Sequence, residues 1–482
     1  MSNSTSFPEH FLWGASTSAY QVEGAAESNG KLASQQDILN TVNGLNKAAV
    51  ASDHYHRYQE DVALMKELGL TSYRFSFSWA RIFPEGSGKV NEEGILFYHN
   101  LVDELIANNI TPIATLYHYD MPMALVDKYN GWVDRKSVED FKNYAEYLIK
   151  SFAEKIKYWL TINEQSIIVE YWTSKNFIPQ EMQNNQQLRY QINHHMNLAH
   201  AYACKAVHDF IPDGKVGAAL GYSPVYPLTS TAEDNLAALN ANLIRNTFYT
   251  DVYLKGKYND TSLAILKSLG MAPDILEGDE DIIQEGFSDL LAVNYYYSST
   301  AKHCPPNVPK VDSGVNKTGT KGNMKQYENL PGFYEMCKNP LLDTTEWDWA
   351  IDPLGLEYIL RDLHTRYEVP LMITENGIAG YDKLEEDGSI RDDYRIEYIA
   401  NHLQAIKNAI DLGANVISYN PWSFIDVLST SNGYSKRYGL VYVNRTDDNL
   451  MDLSRHKKKS FYWYKEVISS NGNINIEHKN ND

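Results

Sequence analysis

A chain of 482 residues with 43 basic and 62 acidic side chains carries a formal charge of −19, which repels nucleic acid and anionic lipid and excludes a general polyanion binder. With 43% hydrophobic and 12% aromatic residues it can bury a large core, which excludes disorder as its main state. Length alone fits either about three domains or one α/β barrel with long loops, so the order of elements has to decide.

In chain order, short apolar or β-branched runs alternate with stretches of helical period. Strands are predicted at Phe11–Thr17, Ser72–Trp79, Thr111–His118, Tyr158–Asn163, Lys215–Gly221, Leu290–Tyr296, Pro370–Thr374 and Asn415–Ser423. The clearest helices are His56–Leu68, with Val62, Met65 and Leu68 on one face, then Ile95–Asn108, Ser137–Phe152, Leu188–Phe210, Leu354–Tyr367 and Arg395–Leu412. Eight strands alternating with helices predict an α/β fold, a single closed (β/α)8 TIM barrel with long βα loops. No Gly-x-Gly-x-x-Gly turn follows the first strand, so a dinucleotide fold lacks support. Ser299–Glu346, rich in Pro, Gly, Lys and Asn, reads as a long loop after the sixth strand, and the tail after Ser469 reads as frayed. With no repeat or linker, residues 1–482 are expected to form one catalytic domain.

Cys204, Cys304 and Cys337 are few, odd in number and widely spaced, which argues against a disulfide framework and a zinc site and fits a reducing compartment. Met1–His10 lacks a charged start followed by an apolar run, and no stretch of about 18 apolar residues occurs. A cytoplasmic location without a membrane or nucleic-acid partner is expected; oligomeric state is not readable. His194, His195 and His200 lack carboxylates or Cys at ligand spacing, so no metal is expected, and Lys457–Lys459 reads as a solvated face.

The informative residues are the polar ones at strand ends. Strand three runs into His118, strand four ends Thr161-Ile162-Asn163-Glu164, strand six stops at Asn294-Tyr295-Tyr296, strand seven ends Ile373-Thr374-Glu375, and strand two carries Arg74. In a barrel these ends form one rim where side chains from separate strands converge. Two carboxylates in an aromatic-lined pocket suggest glycoside chemistry, in which one acid stays protonated while the other is ionised. Arg74 suits the second task, since a nearby cation favours the carboxylate. No cofactor is implied.

At these residues the sequence resembles glycoside hydrolase family one, the retaining β-glucosidase type. The resemblance rests on Phe7-Pro-Glu-His-Phe-Leu-Trp-Gly, Tyr73-Arg-Phe-Ser-Phe-Ser-Trp, Leu116-Tyr-His, Thr161-Ile-Asn-Glu, Asn294-Tyr-Tyr and Ile373-Thr-Glu-Asn-Gly, in order along nearly the whole chain. It implies Glu164 as general acid/base, Glu375 as nucleophile and Arg74 as its support, with Gln21, His118, Asn163, Asn294, Tyr296 and Trp422 as sugar contacts. Two departures lie near the rim: Gln165 replaces the usual Pro, with little consequence expected because the strand has ended, and Tyr119, a further expected substrate contact, replaces the usual Trp.

The largest departure follows strand eight. Ordinary members place there a Glu that accepts hydrogen bonds from the sugar, whereas this chain reads Trp422-Ser-Phe-Ile-Asp-Val-Leu-Ser429-Thr430. A carboxylate would repel a phosphate on the sixth carbon, and a hydroxyl removes that repulsion. With Lys436 and Tyr438, Ser429 resembles the phosphate pocket of 6-phospho-β-glycosidases. The resemblance implies retaining hydrolysis of 6-phospho-β-D-glucosides, with a phosphorylated β-glucoside as the small-molecule partner. The rivals are a 6-phospho-β-galactosidase, an ordinary β-glucosidase and an inactive sugar-phosphate sensor. Thr430 and Tyr119 are similar to the gluco branch, while Ser431-Asn-Gly-Tyr434 is similar to the galacto branch. Tyr171, Trp172 and Trp347 are candidates to line the aglycone site or simply to pack.

Overall fold

Apolar strands buried on both faces can satisfy their backbone groups only by pairing edge to edge, and here they pair all the way round. The computed structural model describes residues 6–174, 178–183, 185–430 and 432–473. Its eight parallel strands are β1 (Leu12–Trp13), β2 (Ser72–Ser76), β3 (Thr111–Tyr117), β4 (Tyr158–Asn163), β5 (Lys215–Gly221), β6 (Leu291–Asn294), β7 (Leu371–Glu375) and β8 (Val416–Tyr419). From β2 to β8 each lies beside its sequence neighbour, and β8 pairs with β1. Closure is completed just beyond β1, where Ser16 bridges both Arg74 and Trp422. There Arg74 N donates to Ala15 O and Thr17 N to Arg74 O, both at 3.0 Å.

The predicted helices occupy the outside as α1 (His54–Leu68), α2 (Glu92–Ala107), α3 (Lys136–Ser151), α4 (Gln186–Phe210), α5 (Pro353–Tyr367) and α6 (Asp393–Asp411), with α7 (Lys459–Ser469) closing the chain. Helix α1 buries Val62, Met65 and Leu68 and stops at Gly69, whose φ of 89° supplies the left-handed turn. Asp352 caps α5 by accepting from Gly355 N, and Pro353 opens its first turn, where a missing N–H costs nothing.

A separate cluster of Ile113, Leu160, Ala219, Leu290, Ala292 and Met372, flanked by Leu12, Tyr158 and Ile417, plugs the barrel interior. β2 contributes none of these residues; it carries the fully buried Arg74 instead. The plug thus leaves the other end of the cylinder to polar chemistry.

Several expectations need correction. Ser299–Glu346 is not all loop: Ser299–Lys302, Asn329–Leu330 and Tyr334–Cys337 join Val225–Pro227 in a four-stranded sheet, with strands too short to show a period. The tail is tied down as far as residue 473, because Asn471 Nδ2 donates to Phe7 O at 2.8 Å and Trp13 Nε1 donates to Asn471 Oδ1 at 2.9 Å; residues 474–482 lie outside the described residues. Gln165 is fully buried, donating to Asn193 Oδ1 and Asn197 Oδ1 of α4 at 2.7 Å and accepting from Tyr253 OH at 3.0 Å, bonds no proline side chain provides. His194 bonds Tyr258 OH and Asp279, and His200 bonds Thr161 and Ser288, as parts of the packing around α4.

Lys458 is likewise no solvated residue. Its fully buried ammonium lies 2.6 Å from Asp382 and 2.7 Å from Asp426. Arg395 pairs with Asp382 at 2.9 Å and also with Asp392, while Arg437 pairs with Asp426 at 2.7 Å. The network therefore balances Asp382, Asp392 and Asp426 against Lys458, Arg395 and Arg437. Lys458→Met leaves it one cation short; it is expected to destabilise the fold by about 3–5 kcal/mol, read from the urea midpoint.

Candidate active site

Strand ends set the geometry. β7 terminates on Glu375 and β4 on Asn163, with Glu164 next in the chain. Glu164 has φ +47°, a left-handed conformation uncommon outside glycine, and its N–H donates to Ala219 O at 2.7 Å. Gly221 at the end of β5 leaves room for the carboxylate: a Cβ there would sit 3.0 Å from Glu164 Oε1. Sequence reasoning missed Gly221, because a close approach between strands has no local signal.

Arg74 connects the carboxylates from within the barrel. Its Nε donates to Thr115 Oγ1 at 2.8 Å, Nη1 to Glu375 Oε1 at 2.6 Å and Nη2 to Asn163 Oδ1 at 2.6 Å. Asn294 Nδ2 donates to Asn163 Oδ1 at 3.0 Å and to Glu164 Oε1 at 3.1 Å, and Tyr296 OH donates to Glu375 Oε2 at 2.7 Å. Tyr119 OH donates to Glu164 Oε2 in a short hydrogen bond.

These contacts separate the two acids. Burial and the nearby Glu375 charge push Glu164 up to about 7. Burial also raises Glu375, but Arg74 opposes it directly, so the proton of the pair rests on Glu164. His118 is held neutral by burial and by Arg74, with Nε2 3.2 Å from Asn163 Nδ2, and its ring stacks on Trp422 at 5.9 Å.

Of the thirteen residues predicted for the site, all but Arg74 and Asn163 line one cavity of about 1010 Å³; those two act from behind the carboxylates. Gln21 is fixed by Ser18 Oγ donating to its Oε1 at 2.5 Å and by its Nε2 donating to Leu428 O at 2.7 Å. Ser429 begins a tight turn, exchanging backbone bonds with Gly433 at 3.1 and 3.3 Å. The Lys436 ammonium sits 4.5 Å from the Trp347 ring centroid, 4.1 Å from Trp349 and 5.5 Å from Tyr438, with no carboxylate partner among the described residues. Burial alone lowers its pKa to about 7. Trp347, an aglycone candidate by sequence, thus packs on the lysine. Trp349 was not anticipated, although an aromatic two residues on was a visible signal. The side chains of Tyr171 and Trp172 lie outside the described residues.

A TIM barrel with an acid/carboxylate pair at the C-terminal rim, among aromatics and amides, is the site of a glycoside-cleaving enzyme. The profile of Glycosyl hydrolase family 1 matches residues 3–473, and the chain belongs to that family. It is 45% identical over 472 residues to the aryl-phospho-β-D-glucosidase BglC of Bacillus subtilis, covering 97% of this chain and 98% of that protein. Identity to the 6-phospho-β-glucosidase of Dickeya chrysanthemi is 38% over 481 residues, covering 97% and 99%. The family 1 β-glucosidase structure from Thermotoga maritima superposes with a TM-score of 0.85 at 31% identity, covering 98% of this chain and 99% of that one.

Arg74→Met removes the cation that favours ionised Glu375. The pKa of Glu375 is then expected to rise by about 1–3 pH units, moving the acidic limb of the activity profile to higher pH.

Proposed function

We propose that the protein hydrolyses 6-phospho-β-D-glucosides with retention, releasing glucose 6-phosphate and an aglycone. Glu375 attacks the anomeric carbon while Glu164 protonates the departing oxygen. Glu164 then deprotonates a water that displaces Glu375 from the glycosyl-enzyme. Gln21, His118, Asn294 and Trp422 bind the sugar, Asn163, expected from the sequence as a sugar contact, instead holds Asn294 from behind the cavity wall, and Tyr296 steadies the nucleophile.

The observation that carries the phosphate assignment is Lys436. Asp382, Asp392 and Asp426, bonded to the adjacent Arg437 and its network, are matched by three cations, and no carboxylate among the described residues pairs with the buried Lys436 ammonium, which faces aromatic rings instead. It lines the same cavity as the two glutamates, together with Ser429 and Tyr438. A phosphate group supplies the missing charge, and the hydroxyls donate to its oxygens. The Bacillus relative, an aryl-phospho-β-D-glucosidase, and the Dickeya relative, a 6-phospho-β-glucosidase, support the same substrate class. A phosphorylated sugar carries a charge that keeps it from crossing a membrane unaided, so a location in the compartment where such sugars are formed, inside the cell, is part of this reading.

A paired assay with nitrophenyl 6-phospho-β-glucoside, its 6-phosphogalactoside and the unphosphorylated glucoside tests this reading. The phosphoglucoside is expected to have the highest kcat/KM; a faster phosphogalactoside would reverse the sugar assignment, and equal turnover of the neutral glucoside would defeat the phosphate pocket. Lys436→Met is expected to lower kcat/KM for the phosphorylated substrate by about tenfold to a hundredfold while sparing the neutral one.

The lysine also sets a pH dependence. It is neutral in the free enzyme above about 7 and charged beside bound phosphate, so binding takes up a proton above that pH. KM for the phosphoglucoside is therefore expected to rise as pH climbs from about 7, by up to about tenfold per pH unit, with no matching rise for the neutral glucoside.

A further inference from the structure

Glu164 has a donor on each oxygen, and the two donors are held differently. On Oε1, Asn294 Nδ2 is fixed by its second bond to Asn163 Oδ1 and by Thr374 Oγ1, which donates to Asn294 Oδ1 at 2.7 Å. On Oε2 the donor is the phenol of Tyr119. That side chain is set by its own backbone: φ is +72°, the carbonyl accepts from Gln36 Nε2 at 3.1 Å, and the ring meets His118 edge-on at 5.0 Å. The hydroxyl therefore arrives at Glu164 from a wall built independently of the substrate.

We propose that Tyr119 is a positioning residue for proton transfer, its O–H holding Glu164 Oε2 in place and stabilising the carboxylate that exists between the two halves of the reaction. This rests on Glu164 being the acid/base. In the first half the Glu164 proton moves to the glycosidic oxygen, the bond from that oxygen to the anomeric carbon breaks, and a bond from Glu375 to that carbon forms. The carboxylate left on Glu164 accepts the Tyr119 hydrogen bond. In the second half Glu164 takes a proton from water, the water oxygen bonds to the anomeric carbon, and the bond to Glu375 breaks. The phenolic proton never leaves Tyr119, since burial and the adjacent Glu164 and Glu375 keep its pKa well above 10.

The other charged or titratable groups around Glu164 are Glu375 on β7, Arg74 on β2, Tyr296 beyond β6, Tyr438 beyond β8 and neutral His118 beyond β3. Tyr119→Phe leaves all of them in place and deletes one oxygen. Loss of a donor to the charged form raises an acid's pKa, so Glu164 stays protonated to higher pH.

The test is the pH profile of kcat/KM for nitrophenyl 6-phospho-β-glucoside, whose basic limb reports loss of the acid's proton. Tyr119→Phe is expected to move that limb upward by about one pH unit. Tyr119→Trp is expected to move it likewise and stands in if the phenylalanine variant does not fold. Both are repeated with Lys436→Met, so that the lysine's own titration does not contribute. A basic limb unmoved in both variants, with only KM raised, would overturn the inference and leave Tyr119 as a sugar contact. Glu164→Gln separates the two claims: wild-type turnover in that variant sinks the acid/base assignment itself, whereas lost turnover with an unmoved Tyr119→Phe limb sinks only the tyrosine's role.

Discussion

A guanidinium sealed inside a β-barrel is the constraint on which this site depends. Arg74 is fully buried, and a charge there is tolerable only with its donors satisfied. Satisfying them draws in Thr115, Asn163 and Glu375 from three strands. Asn163 then orients Asn294, and Asn294 orients Glu164. The asymmetry needed for a two-carboxylate reaction follows from this chain of contacts, because the cation touches one acid directly and the other only through amides. The same backbone segment closes the cylinder through Ser16, so chemistry and closure share one residue.

The opposite wall uses the reverse arrangement. Below it, three buried acids and three buried cations cancel, fixing the segment that carries Ser429, Lys436 and Tyr438. Lys436, next to Arg437 in sequence, is excluded from that balance and faces indole rings instead of carboxylates. Aromatic faces attract a cation without neutralising it. The ammonium is therefore held in place while its charge remains free to be matched by the ligand.

Most of the barrel and the reactive centre could be read from the sequence, for a local reason. A charged residue in mid-strand, such as Arg74, or an acid at the end of an apolar run, such as Glu164 or Glu375, contradicts its surroundings within a few residues. What escaped depends on distant partners. Lys458 meets Asp426 and Asp382 from 32 and 76 residues away, so a lysine triplet resembled ordinary surface. Gln165 gains its importance from Asn193, Asn197 and Tyr253, none of them near in sequence. The strands within Ser299–Glu346 were hidden by brevity, and Gly221 by the fact that its role is to leave space. The substitution of Tyr119 was visible, but its contact with Glu164 was not.

The pairing of β1 with β8, sealed by Asn471 against Phe7 and Trp13, also bears on how the molecule is made. The first of the eight barrel strands to be translated has β2 and β8 as its partners, and β8 follows it by some 400 residues. Until then the nascent cylinder has an open seam with unpaired backbone, a hazard for a slow, long-range topology. Since Ser16 joins that seam to Arg74, the active centre reaches its final form only once the last strand of the barrel has been synthesised.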